Sequence, residues 1–382
     1  MSNQPTYLAE IALSLIEGVG GATGRQLISY GQSAEAVFQM PVAKLLKIPQ
    51  IGEVLANRIS QAEAKVWVEA EKQVAWAEKL GVQCIPYFDE RYPAMLKQAP
   101  DAPLILYQMG ASAWQRPRTI AIVGTRQATN YGKDFVASFI RDLMPYQPVV
   151  VSGLAYGIDI AAHRACLAHQ ITTVAVLANG LDKVYPPQHH ATAQQIVQQH
   201  GALLSESPLG TKPDAARFPA RNRIIAGLVE AVVVVEAKPE GGAIITAEIA
   251  NSYDREVFAL PGSIHQETSA GCNHLIKTHQ ARLLTDVRDL VYILNWDKPV
   301  APQNTQATLA FDLDTLGEAE QQVVKHLAKQ PQQIILLDDL SWALQMPTAA
   351  LSALLLQLEL QGWVKTLPGK QYALVPRAPR LV

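Results

Sequence analysis

Two stretches of small residues follow two apolar β-branched runs, and their residue types suit phosphate binding. Gly124-Thr125-Arg126 follows Ile120–Val123, and Ser152 to Gly157 follows Val149–Val151. In a parallel α/β sheet, loops at the carboxyl ends of adjacent strands meet in one crevice, where small residues expose the backbone and helix-start N–H groups attract anions. Arg126 adds a permanent positive charge. We predict a site for a phosphate backbone at these residues: Gly124, Thr125, Arg126, Ser152, Gly153, Ala155 and Gly157.

Two later segments could add to the same site. Between Phe218 and Arg223, two arginines flank an asparagine where a helix is predicted to begin, and arginine binds phosphate through its bidentate fork. Between Glu240 and Thr246, two glycines occupy a predicted strand-to-helix turn, which favours anion binding. These segments add the following candidates: Phe218, Arg221, Asn222, Arg223, Gly241, Gly242 and Thr246.

The two arginines also have a structural alternative. Arginine at a helix start opposes the helix dipole, unless an anion lies nearby or the guanidinium forms a buried ion pair. Arg221 or Arg223 could form such a pair with Glu206 or Glu236. The sequence leaves both roles open, and one arginine could perform each.

Catalytic, metal and cofactor sites have weaker support. Ser152, Asp159 and His163 could imitate a hydrolase triad, but Ser152 lacks the G-x-S-x-G turn and Asp159 is expected to interact with a helix start. His189-His190 and Cys272-x-His274 lack further ligands for a metal. The first loops lack the G-x-G-x-x-G fingerprint of a dinucleotide site. We therefore predict no catalytic residue, no metal and no cofactor.

The composition is that of an ordinary globular protein. The 382 residues are 49% hydrophobic and 17% charged, and the formal net charge is -2, so any anion site must be a local patch. Three scattered cysteines suit a reducing compartment. The N-terminus lacks the regions of a signal peptide and the apolar runs are too short to span a bilayer, so we expect a cytoplasmic protein without membrane contact.

The middle of the chain alternates between apolar runs and amphipathic stretches. Continuous apolar runs separated by helical patterns indicate a buried parallel sheet, and right-handed crossovers then give a doubly wound, mostly parallel, Rossmann-like α/β fold. The predicted strands are Ile120–Val123, Val149–Val151, Thr173–Leu177, Ala202–Leu204, Ala231–Val235, Val257–Leu260 and Arg282–Leu284.

Smaller domains are predicted at both ends, giving the divisions 1–80, 81–297, 298–315 and 316–382. Residues 1–80 have two apolar-x-Gly turns, typical of helix-hairpin-helix or SAM-like modules, although a helical bundle with glycine C-caps is favoured because the turns carry few basic residues. Residues 298–315 read as a linker. Residues 316–382 have the order of a winged helix, and its recognition helix Thr348–Leu360 lacks Lys and Arg, which favours protein contact over DNA reading.

Five motifs, in order, resemble those of the DNA-processing protein A family, DprA, also called Smf. They are Gly124-Thr125-Arg126, Ser152 to Asp159, Gly180 to Pro186, Phe218 to Leu228 and Gly242 to Ala247. The resemblance implies a non-enzymatic protein of natural transformation. Such a protein binds incoming single-stranded DNA, protects it, loads the RecA recombinase and dimerises through its Rossmann-like domain.

The resemblance also implies roles for single residues. Arg126 would hold the DNA backbone or stack on a base, the loop Ser152–Gly157 would present amides, and Lys183 would make the pocket positive together with the segment Arg221–Arg223. Gly241 stands where the family usually has serine. Three aromatic residues are candidate stacking partners, although each could belong to the core: Phe218, Tyr156 and Tyr185.

Two other classes of function have partial support in the sequence. Nucleoside-monophosphate phosphoribohydrolases use a glycine loop followed by a Thr and a Glu, which Gly241-Gly242, Thr246 and Glu248 partly imitate, with the Thr one position late. A structural adaptor is supported only by the uncharged recognition helix.

Overall fold

The computed structural model describes residues 7–62, 64–111, 114, 116–296, 316–328, 334–344, 346–367 and 371–375. The chain divides into two compact units, Met1–Ala301 and Pro302–Val382, and each is described by itself. The predicted boundary at residue 80 falls inside the first unit, and the predicted linker at 298–315 lies outside the described residues. The domain boundaries stay a prediction.

Helices occupy the first part of the first unit, as the sequence predicts. They pack around buried leucine and isoleucine side chains, including Ile11, Leu27, Leu45 and Ile59. Their bounds are α1 Leu8–Ser14, α2 Gly21–Gly31, α3 Ala34–Phe38, α4 Val42–Leu45, α5 Glu53–Ser60 and α6 Ala64–Leu80.

The glycines of the two apolar-x-Gly turns begin helices instead of ending them. Gly20 and Gly52 have extended backbone and form the N-caps of α2 and α5. The prediction of glycine C-caps was therefore wrong. The physical reason is that the preceding apolar residues, Val19 and Ile51, are buried and anchor the turn, so that each glycine opens the next helix.

A nine-stranded sheet forms the centre of the first unit. Its order is β1-β2-β6-β5-β4-β3-β7-β8-β9. The seven strands β3 to β9 are all parallel to one another. The bounds are β1 Val82–Pro86, β2 Ile105–Gly110, β3 Thr119–Val123, β4 Val149–Ser152, β5 Thr173–Val176, β6 Ala202–Ser205, β7 Ala231–Val234, β8 Glu256–Ala259 and β9 Arg282–Leu283. The predicted mostly parallel, doubly wound sheet is confirmed.

Two strands of this sheet were not predicted. β1 and β2 form an antiparallel pair, and β2 joins β6 in antiparallel register. Closely spaced prolines, Pro86, Pro93, Pro100 and Pro103, mask the strand pattern on both sides. Pro86 ends β1, where the missing N–H does not interrupt the ladder, so the strand tolerates it.

Helices cover both faces of the sheet. Ile122 and Val233 pack beneath the helices that follow β3 and β4, whereas Val123 and Val234 face the helices that follow the later strands. Both faces are therefore apolar, which explains the uninterrupted apolar strands. The helices are α7 Ala94–Lys97, α8 Asn130–Leu143, α9 Ile158–Ala168, α10 His190–Gln198, α11 Arg217–Gly227, α12 Gly242–Ser252, α13 Glu267–Lys277 and α14 Val287–Ile293.

The strand order reverses at β3. The strands β4, β5 and β6 lie on one side of it and β7, β8 and β9 lie on the other. The loops after β3 and β7 therefore lead away in opposite directions and leave a crevice at their carboxyl ends. In open α/β sheets this is the usual place of a ligand site.

The second unit has the winged-helix order that the sequence predicts. A three-stranded antiparallel sheet, with β12 in the middle, packs with the helices on a core that includes Val323, Leu340 and Leu355. The strand β10 was not predicted, and the predicted Pro368-Gly369-Lys370 turn lies outside the described residues. The bounds are α15 Glu318–Ala328, β10 Ile334–Leu336, α16 Leu337–Leu344, α17 Thr348–Leu360, β11 Val364–Leu367 and β12 Gln371–Leu374.

Within the described parts of both units, no helix is long and apolar enough to cross a membrane.

Candidate functional site

A cavity of about 440 Å³ lies at the point where the strand order reverses. It is formed by the loops after β3 and β7 and by the first turns of α11 and α12. Most of the predicted site residues line it: Gly124, Thr125, Arg126, Ala155, Phe218, Arg221, Asn222, Gly241, Gly242 and Thr246. The residues predicted from the sequence therefore lie together at this cavity, but the role of each residue there differs from the prediction in several cases.

Arg126 and Phe218 form the open rim of this cavity. The Arg126 guanidinium lies 5.0 Å from the centre of the Phe218 ring, within the range of a cation–π contact. The Phe218 ring lies 6.1 Å from that of Tyr185, and Arg126 is exposed. Across the described ranges no carboxylate pairs with Arg126, so its charge is available to an anion, and the adjacent ring offers a surface for stacking.

The loops after β3, β4 and β7 are fastened together by backbone hydrogen bonds. The Thr125 N–H donates to the Glu236 carbonyl at 2.7 Å, and the Ile158 N–H donates to the Thr125 carbonyl at 3.2 Å. Gly157 has φ +76, and a Cβ there would lie 2.1 Å from the Thr125 carbonyl oxygen. Gly157 is thus needed for close packing of the loops, and the expectation that it contacts the ligand is not supported, because it does not line the cavity.

Two amides of the loop after β4 are paired within the protein. The Asp159 carboxylate accepts hydrogen bonds from the N–H groups of Gly153 at 3.2 Å and Ala155 at 3.3 Å. The Ser152 hydroxyl is fully buried and donates to the Ile122 carbonyl at 2.7 Å. The amides of Gly153 and Ala155 and the hydroxyl of Ser152 are therefore paired within the protein. Ala155 still lines the cavity, and contact of this loop with phosphate stays a prediction.

Arg221 is a buried structural residue. Its Nη1 donates to the carbonyls of Gly153 and Val176, each at 2.6 Å, and the residue is only 5% exposed. Burial lowers the pKa of Arg221, and the charge of Asp159 opposes that shift. Burial also raises the pKa of Asp159, against which Arg221 acts in turn. Arg221 therefore has an internal role, and its contact with DNA stays a prediction.

Arg223 is also engaged within the protein. It donates to the Glu206 carboxylate and to the Asp101 carbonyl, and it does not line the main cavity. Of the ion pairs considered from the sequence, that of Arg223 with Glu206 is therefore present, whereas Glu236 accepts from the N–H and hydroxyl of Thr129 at the start of α8. Arg223 therefore has internal partners as Arg221 does, and its contact with DNA likewise stays a prediction.

The glycine turn after β7 is stiffened by its neighbours. The Gly242 carbonyl accepts from the Thr246 hydroxyl at 3.0 Å and from the Asn222 side-chain amide at 3.2 Å. Gly241 forms the N-cap of α12, and its N–H donates to the Lys238 carbonyl at 3.0 Å. Gly242 is exposed and a Cβ there would meet nothing within 4 Å, so this part of the backbone is open to a ligand.

Lys183 lies away from the main cavity. It is exposed and lines a separate cavity of about 740 Å³ with residues of α10. The physical reason is that the Asn179 side chain and the Gly180 carbonyl hold the Lys183 backbone in a turn beyond β5. Its predicted place in the same pocket as Arg126 is therefore corrected.

Two cations near the main cavity were missed. Lys238 lines it, with its Nζ 2.8 Å from the Glu267 carboxylate, and Arg217 is exposed at the first residue of α11. Lys238 directly precedes the Pro-Glu-Gly-Gly turn, so its position after a predicted strand was a usable signal.

The imitation of a hydrolase triad is not assembled. The buried His163 ring places Nδ1 2.8 Å from the Thr173 hydroxyl, which donates its own proton to the Val150 carbonyl. Nδ1 of His163 is therefore the donor in the first contact, and Ser152 and Asp159 have the other partners described above. Among the residues that the structure describes, no three His, Cys, Asp or Glu side chains lie close enough together to hold a metal ion.

Comparison with known proteins gives consistent results along the chain. Residues 83–295 match the family model described as DNA recombination-mediator protein A, and residues 307–370 match the DprA winged helix domain. The protein Smf of Synechocystis is 31% identical over 395 residues, covering 95% of this chain and 97% of that protein.

Two solved structures are similar to the chain. DNA processing protein A from Streptococcus pneumoniae has a TM-score of 0.60 and 32% identity, covering 74% of this chain and 95% of that one. DNA processing protein A from Helicobacter pylori, described for its single-stranded DNA binding mode, has a TM-score of 0.51 and 29% identity, covering 57% of this chain and 97% of that one.

Arg221→Met should destabilise the protein strongly. It leaves the carbonyls of Gly153 and Val176 unpaired and the Asp159 charge uncompensated, so we expect a loss of about 3–5 kcal/mol in the free energy of unfolding. Arg126→Ala, at the exposed rim, should change it by less than about 0.5 kcal/mol. Chemical denaturation of both variants checks this, and equal losses would contradict the structural role of Arg221.

His163 should make the stability depend on pH. Burial lowers its pKa to about 3, whereas the unfolded chain titrates near 6.5. The unfolded state therefore binds the extra proton as the pH falls from 6.5 towards 3, and stability is lost by up to about 1.4 kcal/mol per pH unit. In His163→Asn, whose amide can still donate to Thr173, the unfolding free energy should fall less steeply over this range. If the unfolding free energies of the wild type and the variant fall in parallel with pH, His163 does not contribute to the pH dependence of stability.

Proposed function

The chain belongs to the DNA recombination-mediator protein A family, DprA or Smf, and on that premise we propose that it binds the single-stranded DNA of natural transformation, protects it and loads the RecA recombinase. In this proposal the protein is not an enzyme and acts in the cytoplasm. The observation that carries the proposal is the unpaired Arg126 guanidinium over the half-buried Phe218 ring, at the crevice where the strand order reverses.

A single strand requires a positive groove and surfaces on which bases stack. Arg126 supplies a charge for a phosphate, and the Phe218 ring with its neighbour Tyr185 supplies aromatic faces. The open backbone at Gly242 lies on the same cavity. This combination needs no globally basic protein and fits the formal net charge of -2.

Preorganisation supports the same proposal. The bonds of Thr125, Asp159 and Arg221 fix the loops around the cavity before any ligand arrives. A ligand then needs to order few groups besides the exposed side chains at the rim, which lowers the entropic cost of binding.

The phosphoribohydrolase alternative gains no support from the geometry. Its required carboxylate, Glu248, is exposed and does not line the main cavity. The hydroxyl of Thr246 is donated to the Gly242 carbonyl of its own helix. Both observations favour a binding site over a hydrolytic one.

Arg126→Ala should weaken binding of single-stranded DNA by about 1.5–3 kcal/mol, because a charge-assisted contact is lost. Affinity should fall with salt by about 0.7 log units per log unit for each phosphate neutralised, and the variant should lower that slope by up to about one unit. Gel-shift titrations over a salt series measure both quantities, and recruitment of RecA to the bound DNA should fall in parallel.

A matched control for this variant is Arg141→Ala. Arg141 is exposed in the last turn of α8, at the opposite edge of the sheet. We expect wild-type affinity in this control. Release of free base from nucleoside monophosphates, combined with negligible oligonucleotide binding by the wild type, would contradict the proposal and favour the phosphoribohydrolase.

We also propose that the protein forms a homodimer through the α/β domain. Among the apolar residues of α13 and α14, Leu275 and Leu290 are buried in the core, whereas Tyr292 on α14 is 76% exposed. Tyr292 is therefore well placed to contact a second copy, and it is a bulky aromatic group of the kind that interfaces favour.

Tyr292→Glu should convert the dimer into a monomer, because a charge would be placed in the apolar contact. Light scattering measures the molecular mass of the full chain. A protein concentration of about tens of micromolar suits interfaces of modest affinity. Tyr30→Glu, which alters an exposed tyrosine on α2, is the control and should remain dimeric. A monomeric wild type, or a dimeric Tyr292→Glu, would count against this interface.

A further inference from the structure

A third, smaller cavity lies on the other side of the first turn of α11. It has a volume of about 200 Å³ and is formed by that turn and the segments that follow β5 and β6. We call it the side cavity; its walls include Leu177, the segment Glu206–Pro208, Arg217 and Ala220. Arg221 lines both the side cavity and the main cavity, so the two are immediate neighbours.

The side cavity contains polar groups without partners. Ser207 is 5% exposed, and its hydroxyl makes no hydrogen bond to any residue that the structure describes. The Nε atom of Arg221 is buried and also has no partner within the described ranges. The Ser207 hydroxyl is therefore open to a ligand or a water in the side cavity. The Arg221 Nε atom is fully buried and is not counted as a ligand contact.

The remaining walls indicate a planar ligand. Leu177, Ala178, Pro208 and Ala220 present apolar surface, and the Glu206 carboxylate, bonded to Arg223, adds a hydrogen-bond acceptor. A nucleobase fits these walls, because it has apolar faces and N–H donors on its edge. The volume is below the roughly 300–1,000 Å³ of pockets that hold drug-sized ligands, which suits one ring system.

The wall after β6 is held in place before binding. The Gln73 side chain on α6 donates to the Leu209 carbonyl at 3.1 Å and accepts from the Leu209 N–H at 2.9 Å. The Gly210 N–H donates to the Asp182 carboxylate at 2.7 Å. These bonds fix the segment next to Ser207 and Pro208, so the side cavity does not need to form around its ligand.

We propose that the side cavity binds a nucleobase of single-stranded DNA, next to the nucleotide held at Arg126 and Phe218. The Ser207 hydroxyl contacts the edge of the base. Arg217 is exposed at the rim and forms no ion pair with any described carboxylate, so it takes the connecting phosphate. This inference rests on the proposed binding of single-stranded DNA and adds a subsite that reads the base and not the backbone.

The test compares two oligonucleotides of equal length, one with bases and one abasic throughout, against the full-length protein and its variants. Ala220→Leu fills the side cavity from its exposed rim, and Ser207→Ala removes the hydroxyl. Each should weaken binding of the base-bearing strand by roughly tenfold, within the range of one base–aromatic or base–protein contact. Binding of the abasic strand should change by less than about twofold.

The matched control is Ala137→Leu, which enlarges an exposed alanine on α8 away from both cavities and should bind both strands as the wild type does. Thermal midpoints confirm that the variants fold. If Ala220→Leu and Ser207→Ala bind the base-bearing strand with wild-type affinity, the proposed subsite is wrong although DNA binding stands. The same holds if their affinity for the abasic strand falls as much as that for the base-bearing strand. If the wild type binds neither strand, the proposed function itself fails.

Discussion

The buried guanidinium of Arg221 is the interaction on which the arrangement of the site depends. It joins the loop after β4 to the end of β5 through the carbonyls of Gly153 and Val176. The negative charge of Asp159 compensates the positive charge of the guanidinium. Taking a guanidinium out of water is costly unless its hydrogen bonds and charge are met. The backbone carbonyls of Gly153 and Val176 accept from Nη1, and Asp159 provides the opposite charge, so this arginine forms a fixed floor beneath the cavity.

This internal use of charge determines what remains for a ligand. Asp159 fills the amide positions that an anion could have taken, and Arg223 is held by Glu206. The cationic rim therefore depends on exposed side chains, chiefly Arg126 and Arg217. A rim of few charges beside aromatic and open glycine surfaces suits a flexible strand held at several points better than one small anion held deeply.

Much of the fold was predictable because apolar strands separated by amphipathic helices fix both the sheet and the edge at which its loops meet. The cavity position followed from that edge. The partners of Arg221 and Asp159 could not be predicted, because their hydrogen bonds join segments distant in sequence or depend on the exact turn. Lys183 was misplaced for the same reason, and the strands β1 and β2 were hidden by prolines that end or border them.

Photo-crosslinking tests the central claim most directly, because it reports where the strand lies. A single-stranded oligonucleotide carrying 5-iodouracil would be irradiated with the full-length protein, and the crosslinked peptides identified by mass spectrometry. Because aromatic side chains that stack on the base react readily, we expect adducts at Phe218 or Tyr185, on the rim beside Arg126. Adducts confined to the winged-helix unit or to the turns at Gly20 and Gly52 would contradict this account.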